Sequence, residues 1–175
     1  MATGPRYFVP FRRRKEGRTN YYARMKLVVA ARPRMVVRKS NRHIIVQLVT
    51  ADPAGDRTLV SATSGDLARY GYTGSTSSTP AAYLTGALFA VRALNANQES
   101  AVLDIGLHRA SKGARVFAAL KGAVTAGLDV PHSAGIFPDD ERVKGAHIAA
   151  FSPGRAGDIA RTVEQTMDAI MKELE

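Results

Sequence analysis

Apolar residues follow two different rhythms along this chain. From Thr19 or Asn20, either of which can cap a helix, Tyr22, Met25, Val28 and Val29 recur at helical spacing. Arg32 stands before Pro33, which predicts the end of that short amphipathic helix. Three strand-like runs follow: RMVVRK over 34–39, HIIVQLV over 43–49 and TLVSAT over 58–63. Ser40-Asn41 and the turn-rich TADPAGDR separate them, and connections this short predict an antiparallel meander. Ahead of all this, Gly4, Pro5 and Pro10 predict an extended start.

After YGYTGSTSST (70–79), a loop without apolar period, the rhythm changes. Thr79 as N-cap and Pro80 at the first helical position open a helix, with Leu84, Ala87, Leu88, Val91 and Leu94 as its stripe to about Asn97. AVLDIGL (101–107) is a nearly continuous apolar run, as expected of a strand covered on both faces. Val116, Ala119, Leu120, Ala123 and Val124 mark another helix that stops near Gly127, and LDVPHS offers a last short strand. From Ser152-Pro153 onward, Ile159, Val163, Met167, Ile170 and Leu174 mark a final helix. A meander followed by right-handed crossovers predicts an α/β fold: a three-layer α/β/α mixed sheet of the ribonuclease H-like kind, with helices on both faces. A basic extended N-terminal arm precedes it and a C-terminal helix follows. The expected division is 1–32 for the arm and its helix, 33–151 for the body, and 152–175 for the C-terminal helix.

Charge sharpens the picture. The 175 residues carry a net +10, yet residues 1–43 hold 13 Lys or Arg against Glu16 alone, so the remainder is close to neutral. A polycationic front on an ordinary domain predicts a polyanionic partner, nucleic acid or anionic membrane. Cysteine is absent, which removes disulfides and thiolate metal sites. No run approaches the roughly 18 apolar residues that span a bilayer, and the basic stretch grades into a strand rather than ending before the fold, unlike a targeting segment.

A ribonuclease H-like sheet raises the possibility of a nuclease, which needs several carboxylates at strand ends to hold divalent metals. Asp104 in LDIGL is the one acid so placed; Asp52, Asp56 and Asp66 are expected in connections. A lone carboxylate pairs with an arginine or the backbone and builds no two-metal site. His43, His108, His132 and His147 are scattered without ligand spacing, GLHRASKG lacks P-loop order, and no serine lies in a nucleophile elbow. No catalytic residue, metal, cofactor or small-molecule substrate is expected.

Binding fits better. Ten of the thirteen front cations are arginine, whose planar fork contacts phosphate bidentately and stacks on bases. Tyr7, Phe8, Phe11, Tyr21 and Tyr22 are interleaved with them, a composition suited to unpaired bases in folded RNA. Taken singly, Tyr22 and one phenylalanine are expected to pack the helix onto the sheet. Membrane binding is the rival, but the cations run beyond the helix through 34–43, a long track rather than one helical face. LHRASKGARVF adds a second basic site, with Arg109, Lys112 and Arg115 where a strand passes into a helix and Gly113 for close approach.

At this point five stretches, RRRKEGRTNYYARMKLV, RPRMVVRKSNRHIIVQLV, AYLTGALFAVRAL, AVLDIGL and GARVFAALKGAVTAGLDVPHS, resemble, in that order, the family of large-subunit ribosomal protein eighteen in its archaeal form. That family is related to the eukaryotic 5S-rRNA-binding ribosomal protein five. The likeness covers about residues 5–150 and implies a three-layer body with a basic arm on 5S rRNA in the central protuberance of the ribosome, in the cytoplasm. It implies further contact with 23S rRNA, with ribosomal protein five of the large subunit and with other central-protuberance proteins. Carried onto this chain, it assigns rRNA contacts to Arg6, Arg12, Arg13, Arg14, Lys15, Arg18, Asn20, Tyr21 and Arg24. It adds the turn Arg38, Lys39, Ser40, Asn41, Arg42 and His43, and Lys112 and Arg115 of the later loop. The chain departs from the eukaryotic relatives in ending at Glu175 without a long extension. A general RNA-binding or chaperone protein without 5S specificity is the alternative.

Overall fold

A computed structural model describes residues 4–174, with the backbone alone at 155 and 156; Met1–Thr3 and Glu175, the outer ends of the expected arm and C-terminal segment, lie outside the described residues. The chain opens with a turn closed by Tyr7 N–H on the Gly4 carbonyl rather than fully extended. A single helical turn, α1 (Arg12–Lys15), and the helix α2 (Tyr21–Val29) come next. Asn20 caps α2, its side chain accepting from Ala23 N–H at 3.2 Å. The helix gives out before Arg32, with Ala31 in the left-handed region at φ 52°.

The meander is formed by β1 (Arg34–Lys39), β2 (Ile44–Asp52) and β3 (Gly55–Thr63). With β4 (Val102–Asp104) they make a four-stranded mixed sheet in the order β3-β2-β1-β4, antiparallel except where β4 joins β1 in parallel. Strands β2 and β3 run further into TADPAGDR than their apolar residues suggest. Pairing continues to Asp52 opposite Gly55, so Asp52 and Asp56 are strand residues and only Pro53-Ala54 turns the chain. The backbone ladder needs no apolar side chain to extend a hairpin. Strand β4 is shorter than the 101–107 run, because Gly106 at φ 63° leaves the sheet direction. LDVPHS contributes only an isolated bridge from Asp129 to Ser100, and Pro131 has no N–H with which to extend it.

Helix α3 (Thr79–Asn95) is capped by Ser78, not Thr79: the Ser78 hydroxyl accepts from Ala81 N–H at 3.2 Å. It lies against β2 and β3 and beside α4 (Arg115–Thr125). Short helices α5 (Asp140–Lys144), α6 (Ala146–Phe151) and α7 (Pro153–Ala156) then lead to α8 (Ile159–Met171). The C-terminal segment is thus broken near Gly157, and Leu174 lies beyond the buried stripe of α8. Ile159, Val163 and Ile170 bring α8 onto α3.

Side chains alternate cleanly across the sheet. Met35, Val37, Ile44, Val46, Leu48 and Ala62 point to one face, where Leu84, Leu88 and Phe89 of α3 and Val116, Phe117 and Leu120 of α4 complete the core. Arg34, Val36, Arg38, Gln47, Val49 and Asp104 share the opposite face by register. That face carries α2, across a cleft of about 720 Å³. The arrangement is α/β with a mixed open sheet, compatible with a three-layer order.

Helices α3 and α4 approach closely enough that only glycine fits. A Cβ on Gly86 would overlap the Ala119 carbonyl, and one on Gly122 would overlap the Tyr83 carbonyl. Helix propensity alone favours Gly86→Ala by about 1 kcal/mol. Overpacking against rigid backbone costs about 1–3 kcal/mol or more, so the clash wins. Gly86→Ala and Gly122→Ala are each expected to lower the midpoint of urea unfolding, whereas alanine at Gly154, which meets nothing within 4 Å, leaves it in place.

Candidate nucleic-acid interface

The arm is built so that little of it is buried. Arg6, Arg12, Arg13, Arg14, Lys15, Arg18 and Asn20 are all exposed, while Tyr21 and Arg24 are half-buried. Glu16, the single acid of the basic front, sits between Arg18 at 3.2 Å and Arg12 at 3.9 Å. Arg13 donates to the Thr19 hydroxyl at 2.9 Å, and the Arg14 guanidinium lies over the Tyr22 ring at 5.3 Å. Phe11 and Tyr21 meet ring to ring at 5.3 Å. These contacts brace the arm locally and leave its cations facing out.

The aromatic and apolar stripe differs from its expected role. Tyr22 is 66% exposed, Met25 62%, Val29 76% and Phe8 89%. None of them packs α2 onto the sheet. The inward side of α2 instead carries Arg24, which pairs with Asp56 through two parallel bonds of 2.7 and 2.8 Å. That ion pair, with half-buried Leu27 beside it at the cleft, holds this helix over the sheet.

Behind that pair lies a network the sequence did not reveal. Arg34, counted among the front cations, is only 2% exposed. Its guanidinium donates to Asp56 at 2.8 Å and to Asp104 at 2.9 Å, while its Nε has no partner. Asp104 also accepts from Arg38 at 3.2 Å and from Gly106 N–H at 2.8 Å. Asp104 is therefore a structural counter-ion, and among the described residues no cluster of acids and histidines has metal-binding geometry. The available signal was period-two register: Val36 opposite Asp104 puts that carboxylate on the face of Arg34 and Arg38.

The fork of Arg24 holds the Asp56 carboxyl below the ordinary carboxylate range, against the opposing effect of burial and with help from Arg34. Burial pushes Asp66 up, but Thr63 N–H and Arg92 outweigh it and bring it down.

A second group of assigned residues gathers at the far end of the sheet. The turn after β1 is closed by Ser40 N–H on the His43 carbonyl at 2.8 Å, and the Ser40 hydroxyl accepts from Arg42 and His43 N–H groups. The Ser40 side chain is thus occupied within the turn, while Asn41, Arg42 and His43 face outward. The Arg42 carbonyl accepts from Thr76 at 2.5 Å, Arg115 donates to the Ser77 carbonyl at 2.5 Å, and Lys39 N–H donates to His108 Nε2 at 3.3 Å. Three separate segments, 38–43, 71–78 and 105–115, are thereby drawn together, and none of them contains an acid. Burial and the neighbouring Lys39, Arg38 and Arg115 hold His108 below the usual histidine range, consistent with its acceptor role. Lys112 is exposed and Arg115 half-buried.

Exposed cations on an ordered scaffold, with rings beside them, make the kind of surface that suits a nucleic-acid partner. The model of a family described as ribosomal large subunit proteins 60S L5 and 50S L18 matches residues 5–101 and 95–133, and the chain belongs to that family. It is accordingly a structural, non-enzymatic component of the large ribosomal subunit. Among its relatives are proteins named large ribosomal subunit protein uL18. That of Methanospirillum hungatei is 67% identical and that of Methanoculleus marisnigri 68%, each over 99% of both chains. The one from Methanoregula boonei is 66% identical, again over 99% of both chains.

Two measurements test this electrostatic frame. Asp104→Ala leaves the Arg34 cation buried with half its counter-charge, and breaking such a pair costs about 3–5 kcal/mol, read as a fall in unfolding free energy in urea. Acid acts on the same groups. Because Asp56 and Asp66 have lowered values, their contribution is complete above about pH 4, the ordinary carboxylate value, and is lost as pH falls below it. The part of the urea midpoint owed to these two carboxylates is expected to be level from pH 7 to 5 and to drop below 4, apart from the decline below about pH 6.5 that the lowered His108 adds, and Asp56→Asn should flatten part of the drop below 4.

Proposed function

We propose that the chain binds 5S rRNA and helps attach it to 23S rRNA in the central protuberance of the large subunit. There, in the cytoplasm, it works beside ribosomal protein five of the large subunit and its neighbours. The observation that carries this reading is the run of exposed arginines from Arg6 to Arg18, on a segment that, among the described residues, makes one side-chain ion pair to the body, through Arg24. Exposed guanidinium groups next to accessible rings suit a ligand with phosphates and unstacked bases together. The arm residues Arg6, Arg12, Arg13, Arg14, Lys15 and Arg18, with Asn20, Tyr21 and Arg24, form its first contact region. Arg38, Lys39, Ser40, Asn41, Arg42, His43, Lys112 and Arg115 form the second. The capping bond of Asn20 and the turn bonds of Ser40 give those two side chains a supporting part, shaping the backbone that presents the cations.

Neutralising about eight duplex phosphates gives a log–log salt slope near −7. Replacing Arg12, Arg13 and Arg14 together by alanine should make that slope shallower by about 3 and weaken 5S rRNA binding by at least about tenfold near physiological salt. The measurement is a titration of 5S rRNA and of an unrelated folded RNA of similar length across a salt series. Preference for 5S rRNA that persists at high salt supports the proposal. Equal affinity for both RNAs would overturn it in favour of a general RNA-binding or chaperone role.

A further inference from the structure

The cleft between α2 and the sheet is unlike the rest of the cationic surface, because it has depth and an apolar floor. Val36 and Val49, both buried, form that floor on the polar face of the sheet. Gln47, directly opposite Val36 and two residues from Val49 on β2, is half-buried, and its amide takes part in no side-chain hydrogen bond among the described residues. A side-chain amide left free on an apolar floor can donate and accept at once, as the edge of a nucleobase requires. Tyr21 lines the cleft and supplies a ring, and Arg13 and Arg18 line it from the arm. The volume of about 720 Å³ falls within the range of about 300–1,000 Å³ typical of sites that enclose a small ligand.

The wall formed by α2 is also able to give way. Among the described residues, the Arg24–Asp56 pair is the one side-chain bond from residues 4–31 to the body. If Arg24 turns to a phosphate, Asp56 keeps Arg34 at 2.8 Å and is not stranded. A phosphate offers a guanidinium the same two-oxygen geometry as the carboxylate. The floor is apolar and the surrounding lining carries Arg13, Arg18 and Lys26 beyond the arginines held by Asp56 and Asp104, so the complementary occupant is anionic and carries a flat apolar surface.

We propose that this cleft is a binding site for one unstacked nucleotide of the bound RNA, its base lying on Val36 and Val49 with an edge on Gln47, and its phosphates on Arg13 and Arg18. The site rests on the RNA-binding reading above and deepens it: the arm does not merely lie on RNA but closes over a strand against the sheet. Arg24 shifts from Asp56 toward phosphate as the strand enters.

The test uses the full chain with 5S rRNA in which uridines are replaced by 4-thiouridine, irradiated and mapped by mass spectrometry. The expected result is a crosslink at Val36, Gln47 or Val49, in addition to any in the arm or in the turn 38–43. Gln47→Trp, which fills the cleft without removing a cation, is expected to weaken 5S rRNA binding by about tenfold, within what one stacked base contributes. Its salt slope should equal that of the wild type, whereas the arm variants change theirs. Gln47→Ala, which adds no bulk, guards against misfolding and should show a smaller loss in the same direction, with an unchanged thermal midpoint. Absence of every crosslink at Val36, Gln47 and Val49, or Gln47→Trp binding within twofold of the wild type, overturns the site. A wild-type chain with no preference for 5S rRNA would sink the functional reading instead. The cleft would then be judged by the same crosslinks on whichever RNA binds.

Discussion

A guanidinium buried in the face of a sheet decides how everything on that side is built. Arg34 must be surrounded by negative charge, because an isolated buried cation costs several kcal/mol. Asp104 and Asp56 supply that charge from β4 and β3, on either side of the β1–β2 pair. Strand β4 is only three residues long, and its parallel pairing with β1 is reinforced by the bonds that Asp104 makes to Arg34 and Arg38. Such a pair is weak as a source of stability and strong as a source of specificity, since a sheet out of register would leave the charges unpaired. It also prevents an apolar helix from sealing this face. Helix α2 therefore stands off the sheet on the Arg24–Asp56 pair, and a cleft remains beneath it.

The other face follows the opposite rule. There, β-branched and leucine side chains meet two helices whose mutual approach is set by Gly86 and Gly122. Stability is concentrated on this side, where burial is nearly complete and no charge must be accommodated. The division leaves the polar face free to carry ligand-binding side chains without being asked to hold the molecule together. The loops at the end of the sheet exploit that rigidity: hydroxyls of 71–78 and the backbone of 105–115 are fixed to the turn at Ser40–His43, so its cations sit on a braced platform.

The hydrophobic pattern made the core face easy to read, because alternation in β1 and β2 and the stripes of α3, α4 and α8 each report burial directly. It failed where burial and periodicity part company. The stripe Tyr22, Met25 and Val29 has perfect helical spacing yet faces outward, since the inward side of α2 was chosen by an ion pair. Strands β2 and β3 outran their apolar residues because backbone pairing continued to Asp52 and Gly55. For the interface, the exposed arginines of the arm were legible from charge alone. Arg34 was not: nothing local distinguishes it from Arg32, and only the register of three strands shows that it faces two acids. Gln47 is silent for a related reason, as one polar residue in an apolar strand carries no charge signal.

The packing of α8 on α3 has a consequence for the order in which the molecule can be completed during synthesis. The polycationic arm leaves the ribosome that makes it before the sheet and α3 do. Yet the outer side of α3 stays uncovered until Ile159, Val163 and Ile170 have emerged, about 65 to 75 residues after the end of that helix. At roughly 5–20 residues per second, the chain spends several seconds with a charged leader exposed and its core unfinished. A newborn copy is thus adhesive at one end before it is folded at the other.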